Sequence, residues 1–376
     1  MQQNDAMKKI LLISHNAERA GAPILLLSMA RLLKQNGWTV DFLLKTGGEL
    51  ENEFSQIART TLLHQQTISV AQKLRQRIRK SVLSGMLKQN LHEYNCIISN
   101  TITNGDLHFL LKRHNRVLTY VHELRLVFET STAPELREKV QQHTHLFLYP
   151  SEVVLKLLQK EFNHPQCKRL PYFIPDYLSQ KQQVRKRTRQ ELKIPEDMFI
   201  VGGMGSPSAR KGVDVFLQTA KKTMVAKSKI AFVWCGGMES STEWLLLKTD
   251  IEKTGLVDCF HLIPSVEDSW KVMAAFDLFF LSSREDAYPL VMIEAAMMEI
   301  PILYFQNSGG ADEFLGLDAG FQLPYLDVDT AIEKIIEITN DPTKIKPVIA
   351  KARKRYEELH SAEAVVPHIN DILNLQ

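Results

Sequence analysis

The feature that most limits what this chain can become is an alternation of short apolar runs with helix-like stretches, carried out twice. "KKILLISH" is nearly continuous and apolar, as a strand buried on both faces is. "NAERAGAPILLLSMARLLKQNG" follows as a glycine-bearing loop and a helix closed by Gly37. "WTVDFLLKTGG", "CIISN", "RVLTYVHEL" and "LFLYPSE" continue the series, each passing into polar or small residues before the next helical pattern. A second series, "FIVGGMGS", "IAFVWCGG", "FHLIP", "LFFLSS" and "IPILYFQ", begins after the basic stretch "SQKQQVRKRTRQELKIPEDM", which reads as exposed. Strands alternating with helices specify βαβ units and doubly wound parallel sheets. The expectation is an α/β chain of two similar domains, residues 1–178 and 190–361, with a helical segment 362–376 at the end. Open α/β sheets hold ligands beyond the carboxyl ends of their strands, so two facing sheets would leave a cleft lined by post-strand loops.

Composition agrees with such a chain and excludes several others. With 376 residues, 44% of them hydrophobic, there is enough apolar surface for two cores. No run reaches the roughly 18 to 20 apolar residues that cross a bilayer, and "MQQNDAMKKILLISHN" lacks the apolar length and cleavage site of a signal peptide. The expectation is a cytoplasmic protein. Cys96, Cys167, Cys235 and Cys259 are far apart without a CxxC pair, which argues against a zinc site or a disulfide framework. A net charge of +3 is too small to argue for nucleic acid. Local clustering matters more: in "VAQKLRQRIRKSVLSGMLKQNL" six cations stand among apolar residues at three- and four-residue steps. Residues 70–90 thus read as an amphipathic helix with a basic face, suited to peripheral contact with anionic lipid at the inner face of the membrane or to packing on its own domain.

The chemistry-bearing stretch is "SSREDAYPLVMIEAAMMEIPILYFQNSGGADEF". Seven residues separate Asp286 from Glu294, and the loop "REDAY" leads to Pro289, which suits a first helical turn. Free amides at a helix start attract anions, while a carboxylate accepts two hydrogen bonds from vicinal hydroxyls such as those of a ribose. The spacing therefore assigns polyol recognition to each acid and phosphate to the helix start between them. "GGMGSPSARKGVDVF" ends a strand in glycines and sets Arg210 and Lys211 before Gly212 and a helix. Two cations on a flexible backbone suit a diphosphate, although a glycine turn followed by "RK" is often only a solvated loop.

Together these residues resemble the retaining nucleotide-sugar glycosyltransferases of family 4, which have the GT-B fold of two Rossmann-like domains facing a central cleft. The resemblance covers most of the chain and is strongest from 199 to 314. Asp286 and Glu294 take the family's two acid positions, and Gly309, Gly310 and Glu313 take its "GGxxE" turn. The resemblance implies that Glu294 binds the donor ribose, that Asp286 approaches the donor sugar, and that Arg210 and Lys211 hold the diphosphate. Tyr288, Pro289, Leu290 and Val291, between the acids, would line the donor, with Gly205 and Ser206 on the other loop. "SHNAERAGAPILLL" resembles the family's glycine loop, with Gly21, Ala22 and Pro23 in place of the commoner glycine pair. "VLTYVHEL" resembles its strand-end histidine, so His122 would face the donor sugar, with Asn100, Thr101 and Glu123 as further cleft residues. Read without the family, a strand-end histidine is as readily a satisfied structural residue.

Two positions depart from the family pattern. Asp286 stands where Glu is usual, with Glu285 beside it, and Ser206 stands where Arg is frequent, which leaves Arg210 to carry the phosphate role as in members with "RKG". The implied reaction is metal-independent, cofactor-free transfer of a sugar with retention, to a glycan or lipid-linked acceptor in cell-surface polysaccharide or glycoconjugate synthesis. The resemblance further implies that residues 362–376 cross back to the amino-terminal domain. The alternative is a non-catalytic nucleotide-sugar-binding subunit, which the same two departures permit.

Overall fold

The computed structural model describes residues 8–64, 91–111, 114, 116–226 and 229–374. The basic segment 70–90 lies outside the described residues. Two compact units are present, Met1–Phe173 with Val365–Gln376 and Ile174–Ala364.

The first unit is a seven-stranded parallel sheet in the order β3-β2-β1-β4-β5-β6-β7. Its strands are β1 (Lys9–Ser14), β2 (Thr39–Thr46), β3 (Arg59–His64), β4 (Cys96–Asn100), β5 (Val117–Tyr120), β6 (Leu146–Tyr149) and β7 (Cys167–Arg169). Leu11, Ile13, Leu43, Ile97 and Val117 form one buried layer, the alternate residues of strands covered on both sides. Each large apolar side chain withdrawn from water in this way contributes about 1.5–3 kcal/mol. The terminal helix Ala362–Asn374 packs with this unit: Arg116 donates to Ile372 O at 2.7 Å and Lys168 pairs with Asp371.

The second unit is a six-stranded parallel sheet, β10-β9-β8-β11-β12-β13. Its strands are β8 (Phe199–Met204), β9 (Ile230–Cys235), β10 (Phe260–Ile263), β11 (Leu278–Leu281), β12 (Ile302–Phe305) and β13 (Phe321–Leu323). Phe216, on the helix Val213–Ala226, meets Phe232, Trp234 and Phe260 edge-on at ring separations of 5.6, 5.2 and 5.7 Å. Edge-to-face rings add to area burial and fix how the helix sits on the sheet.

Each sheet reverses its strand order once, between β1 and β4 in the first and between β8 and β11 in the second. Loops that leave the sheet in opposite directions at such a point open a crevice beyond the strand ends. All ten apolar runs of the sequence are strands, and the two-domain α/β expectation holds.

The basic stretch before β8 differs from its expectation. It is a helix, Lys181–Glu191, exposed along one face, where Gln182, Lys186, Arg187 and Gln190 lie, and anchored along the other. Arg189 is 1% exposed, and with Arg185 it grips Asp277, while both reach backbone carbonyls of residues 274–276. Arginines four residues apart share a helix face, so one carboxylate can serve both guanidinium groups.

Candidate active site

In the second unit the site grows out of the reversal between β8 and β11. After β8 the chain turns through Gly205, whose N–H donates to Cys235 O at 2.9 Å and whose carbonyl accepts the Trp234 indole N–H at 2.9 Å. Ser206 is exposed. The loop returns through Arg210 and Lys211 to Gly212, which has φ +69° and lies so close to β11 that an added Cβ would stand 1.9 Å from Ser282 O. Only glycine meets both demands.

The loop after β11 is held against this turn. Arg284 N donates to Arg210 O at 2.8 Å, and the Arg284 guanidinium grips Asp214 at 2.8 and 2.7 Å. On its other side Asp286 makes an isolated parallel bridge to Gly309, donating to Ser308 O at 2.8 Å and accepting from Gly310 N at 3.1 Å. Gly309 has φ +132°, and a Cβ there would meet Asp286 O at 1.8 Å. The glycine pair is thus the surface on which the acid-bearing loop rests.

So mounted, the Asp286 carboxylate receives the Lys211 ammonium directly and the Arg210 guanidinium at 3.9 Å, while Arg210 also donates to Glu285 O at 2.9 Å. Pro289 stands at the N-cap, one position before the helix Leu290–Met297, and no side chain caps that helix. Leu290 and Val291 are half-buried in its first turn. Glu294 lies near the Ser269 hydroxyl, 3.4 Å away, and burial pushes its carboxyl up to about 7 against the opposing pull of that hydroxyl. Tyr288 turns inward: its ring is 2% exposed and its hydroxyl meets His360 Nε2 at 3.0 Å. Glu313 is exposed on the short helix Ala311–Leu315, whose Asp312 accepts from Asn307 N.

In the first unit the reversal lies between β1 and β4, and the predicted residues again gather at strand ends. Gly21 and Ala22 open the helix Gly21–Gln35, and Asn100, the last residue of β4, donates to Ala22 O at 2.8 Å. Asn100 Oδ1 faces His122 Nε2 at 2.6 Å, and His122 Nδ1 meets the Tyr172 hydroxyl at 2.8 Å. Burial pushes the His122 imidazole down to about 3, with His15 adding to the effect. His15 itself, at the end of β1, is brought to about 4 by burial and by Lys45.

Behind the histidine lies a buried acid. Glu123 accepts from the Thr101 hydroxyl, from His122 N at 2.9 Å and from Ile102 N at 3.5 Å, yet burial still raises its pKa. Thr101 has φ +121°, a conformation costly for a β-branched residue and found where surrounding structure over-determines it. Glu123 therefore serves the backbone that carries His122 and Thr101.

Sequence reasoning did not find Tyr172, Arg284 or Asp214. Tyr172 follows β7 in "LPYFIP", fifty residues from His122, and nothing local marks it.

The profile described as "Glycosyl-transferase family 4" matches residues 6–198, and that described as "Glycosyl transferases group 1" matches 184–355. The alpha-galactosylglucosyldiacylglycerol synthase of Streptococcus pneumoniae is 26% identical over 272 residues, 67% of this chain and 70% of that protein. The GDP-mannose-dependent monoacylated alpha-(1-6)-phosphatidylinositol monomannoside mannosyltransferase of Corynebacterium glutamicum is 23% identical over 68% of each chain. Among solved structures, Anabaena Alr3699/HepE in complex with UDP and glucose superposes with a TM-score of 0.84 at 16% identity, covering 98% of this chain and all of that one.

Proposed function

The chain belongs to glycosyl-transferase family 4, and from that premise we propose that it moves a sugar from a nucleoside-diphosphate sugar to a glycan or lipid-linked acceptor, with retention at the anomeric carbon and without a metal ion or cofactor. The observation that carries the reading is the convergence of Arg210 and Lys211 on Asp286 at the reversal point of the second sheet. Two cations against one carboxylate leave this trio with net positive charge beside an uncapped helix start, which is what a departing diphosphate needs. The glycolipid-forming activities of two relatives support a lipid-linked acceptor.

In this reading the bond between the anomeric carbon and the diphosphate oxygen breaks, and negative charge grows on that oxygen. Lys211 and Arg210 meet the growing charge, releasing Asp286 towards the sugar hydroxyls. The acceptor oxygen bonds to the anomeric carbon from the face the diphosphate leaves, and the acceptor proton goes to the leaving phosphate. Fixed cations supply the charge that a divalent ion gives other transferases. Glu294, as a carboxylate, accepts from the ribose hydroxyls.

The test is a panel of UDP-, GDP- and ADP-sugars followed by thermal stability and by nucleoside diphosphate release with a chelator present. One donor should raise the melting temperature, and that shift should vanish in Glu294→Ala. Turnover with an inverted anomeric product, or activity lost to the chelator and restored by a divalent cation, would overturn the corresponding part of the reading. Wild-type activity in Lys211→Ala would overturn its core.

A further inference from the structure

Three hydrogen bonds in the first unit fix more than the position of His122. Ala22 O can only accept, so the carboxamide edge of Asn100 that faces it at 2.8 Å is the NH2 edge. The opposite edge, Oδ1, can also only accept, and it lies 2.6 Å from His122 Nε2, which must carry a hydrogen. A neutral imidazole has one N–H, so Nδ1 is bare and accepts from the Tyr172 hydroxyl at 2.8 Å. The chain Ala22–Asn100–His122–Tyr172 therefore has one consistent direction, set at a backbone carbonyl in the first turn of the helix Gly21–Gln35.

We propose that Asn100 is the positioning residue for His122: it holds the ring as the neutral Nε2–H tautomer and ties it to the first turn of that helix. The surroundings agree. Asn100 is fully buried, so no solvent competes for its carboxamide. The carboxylate of the adjacent residue, Glu123, accepts from the backbone N–H of His122. The Tyr120 ring, 4.2 Å away, and the Tyr172 ring, 5.5 Å away, bring no charge, and His15 opposes protonation. His122 is therefore a ring of fixed direction with both nitrogens engaged, Nε2–H donating to Asn100 and Nδ1 accepting from Tyr172, and it is not placed to shuttle a proton. The link to sugar transfer rests on the function proposed above, whereas the tautomer assignment does not.

Histidine-selective 15N NMR on the whole protein tests the tautomer directly, with the His122 signal assigned by its loss in His122→Gln. The expected wild-type result is a bare Nδ1 and a protonated Nε2 that does not titrate above pH 5. Asn100→Asp keeps the shape but cannot donate to Ala22 O and attracts a second proton, so His122 should titrate at least a hundredfold more readily on the acid scale. Asn100→Ala should give a mixture of tautomers, while Tyr172→Phe should keep Nε2–H. A wild-type Nδ1–H ring, or an unchanged tautomer in Asn100→Ala, would overturn the proposal. With donor present, Asn100→Asp should gain an ionisation in its kcat profile that wild type lacks. Correct tautomers with no turnover on any donor would leave Asn100's hold on the ring standing and refute the transferase reading instead.

Discussion

At the reversal point of the second unit Lys211, Arg210 and Asp286 are ions held by one another, whereas at that of the first Asn100, His122 and Tyr172 are neutral groups locked by hydrogen bonds. Lys211, Arg210 and Asp286 can exchange partners when an anion arrives, because none is fully buried and an ammonium has no preferred direction. His122, Asn100 and Tyr172 cannot, because each bond there fixes the donor and acceptor of the next. Adjustable charge suits a phosphate whose charge changes during reaction, and a neutral network with its donors already engaged holds the strand ends in one fixed shape.

The comparison breaks most readily at Lys211. Lys211→Ala should lower kcat by about 10²–10³-fold, the usual cost of one preorganised group that meets developing charge, and Lys211→Arg should recover part of it. Steady-state kinetics with the preferred donor reads this. An intact kcat would mean that the ionic cluster is structural. Glu294→Gln should raise KM for the donor about tenfold, the worth of a hydrogen bond to a charged acceptor, with a smaller change in kcat. His122→Ala should cost roughly three- to tenfold, the worth of a neutral hydrogen bond lost from the network that holds Asn100 and Tyr172, and leave the salt dependence of donor binding unchanged. Lys211→Ala should flatten that dependence instead, since exposed charge is screened.

The smallest effects are the most discriminating, because Glu294 and His122 should respond to pH with opposite sign. Glu294 has its folded pKa raised to about 7 by burial, so the folded chain holds a proton that the unfolded chain has lost. Stability should therefore fall as pH rises from the ordinary carboxylate range to about 7, and Glu294→Gln should remove that slope. Donor affinity should weaken as pH falls through the same value, since the carboxylate is the accepting form. His122 is brought down to about 3, so the unfolded chain binds more protons below about 6.5 and stability is lost on acidification. Denaturant unfolding across pH, in wild type and in Glu294→Gln, measures both slopes.

Which parts of this could be read from the sequence follows from where the information lies. The nine interior strands were legible because strands buried on both faces must be apolar along their length. Of the four edge strands β10 was legible as "FHLIP", whereas β3, β7 and β13 were not: "RTTLLH", "CKR" and "FQL" are short or polar, because an edge strand need satisfy only one neighbour. The ionic cluster was visible in part because Arg210 and Lys211 are adjacent and the two acids are spaced on one strand-to-helix turn. The neutral cluster was visible only through His122 and Asn100, since Tyr172 joins them from a distant loop. The helix Lys181–Glu191 misled because a run of arginines looks solvated until one acid, Asp277, is brought to it by the fold.

The seating of Asp286 on Gly309 has a consequence for how such a chain can change over generations. Backbone meets backbone there with no room for a side-chain carbon, so the path of the acid-bearing loop is fixed from two sides, by Gly309 and by the Arg284 clasp on Asp214. A lineage acquiring a new sugar would have little freedom to redraw that loop and would have to vary what projects from it. On the function proposed above, the aspartate at 286, one methylene shorter than the glutamate of the pattern this chain resembles, would be a variation of that kind.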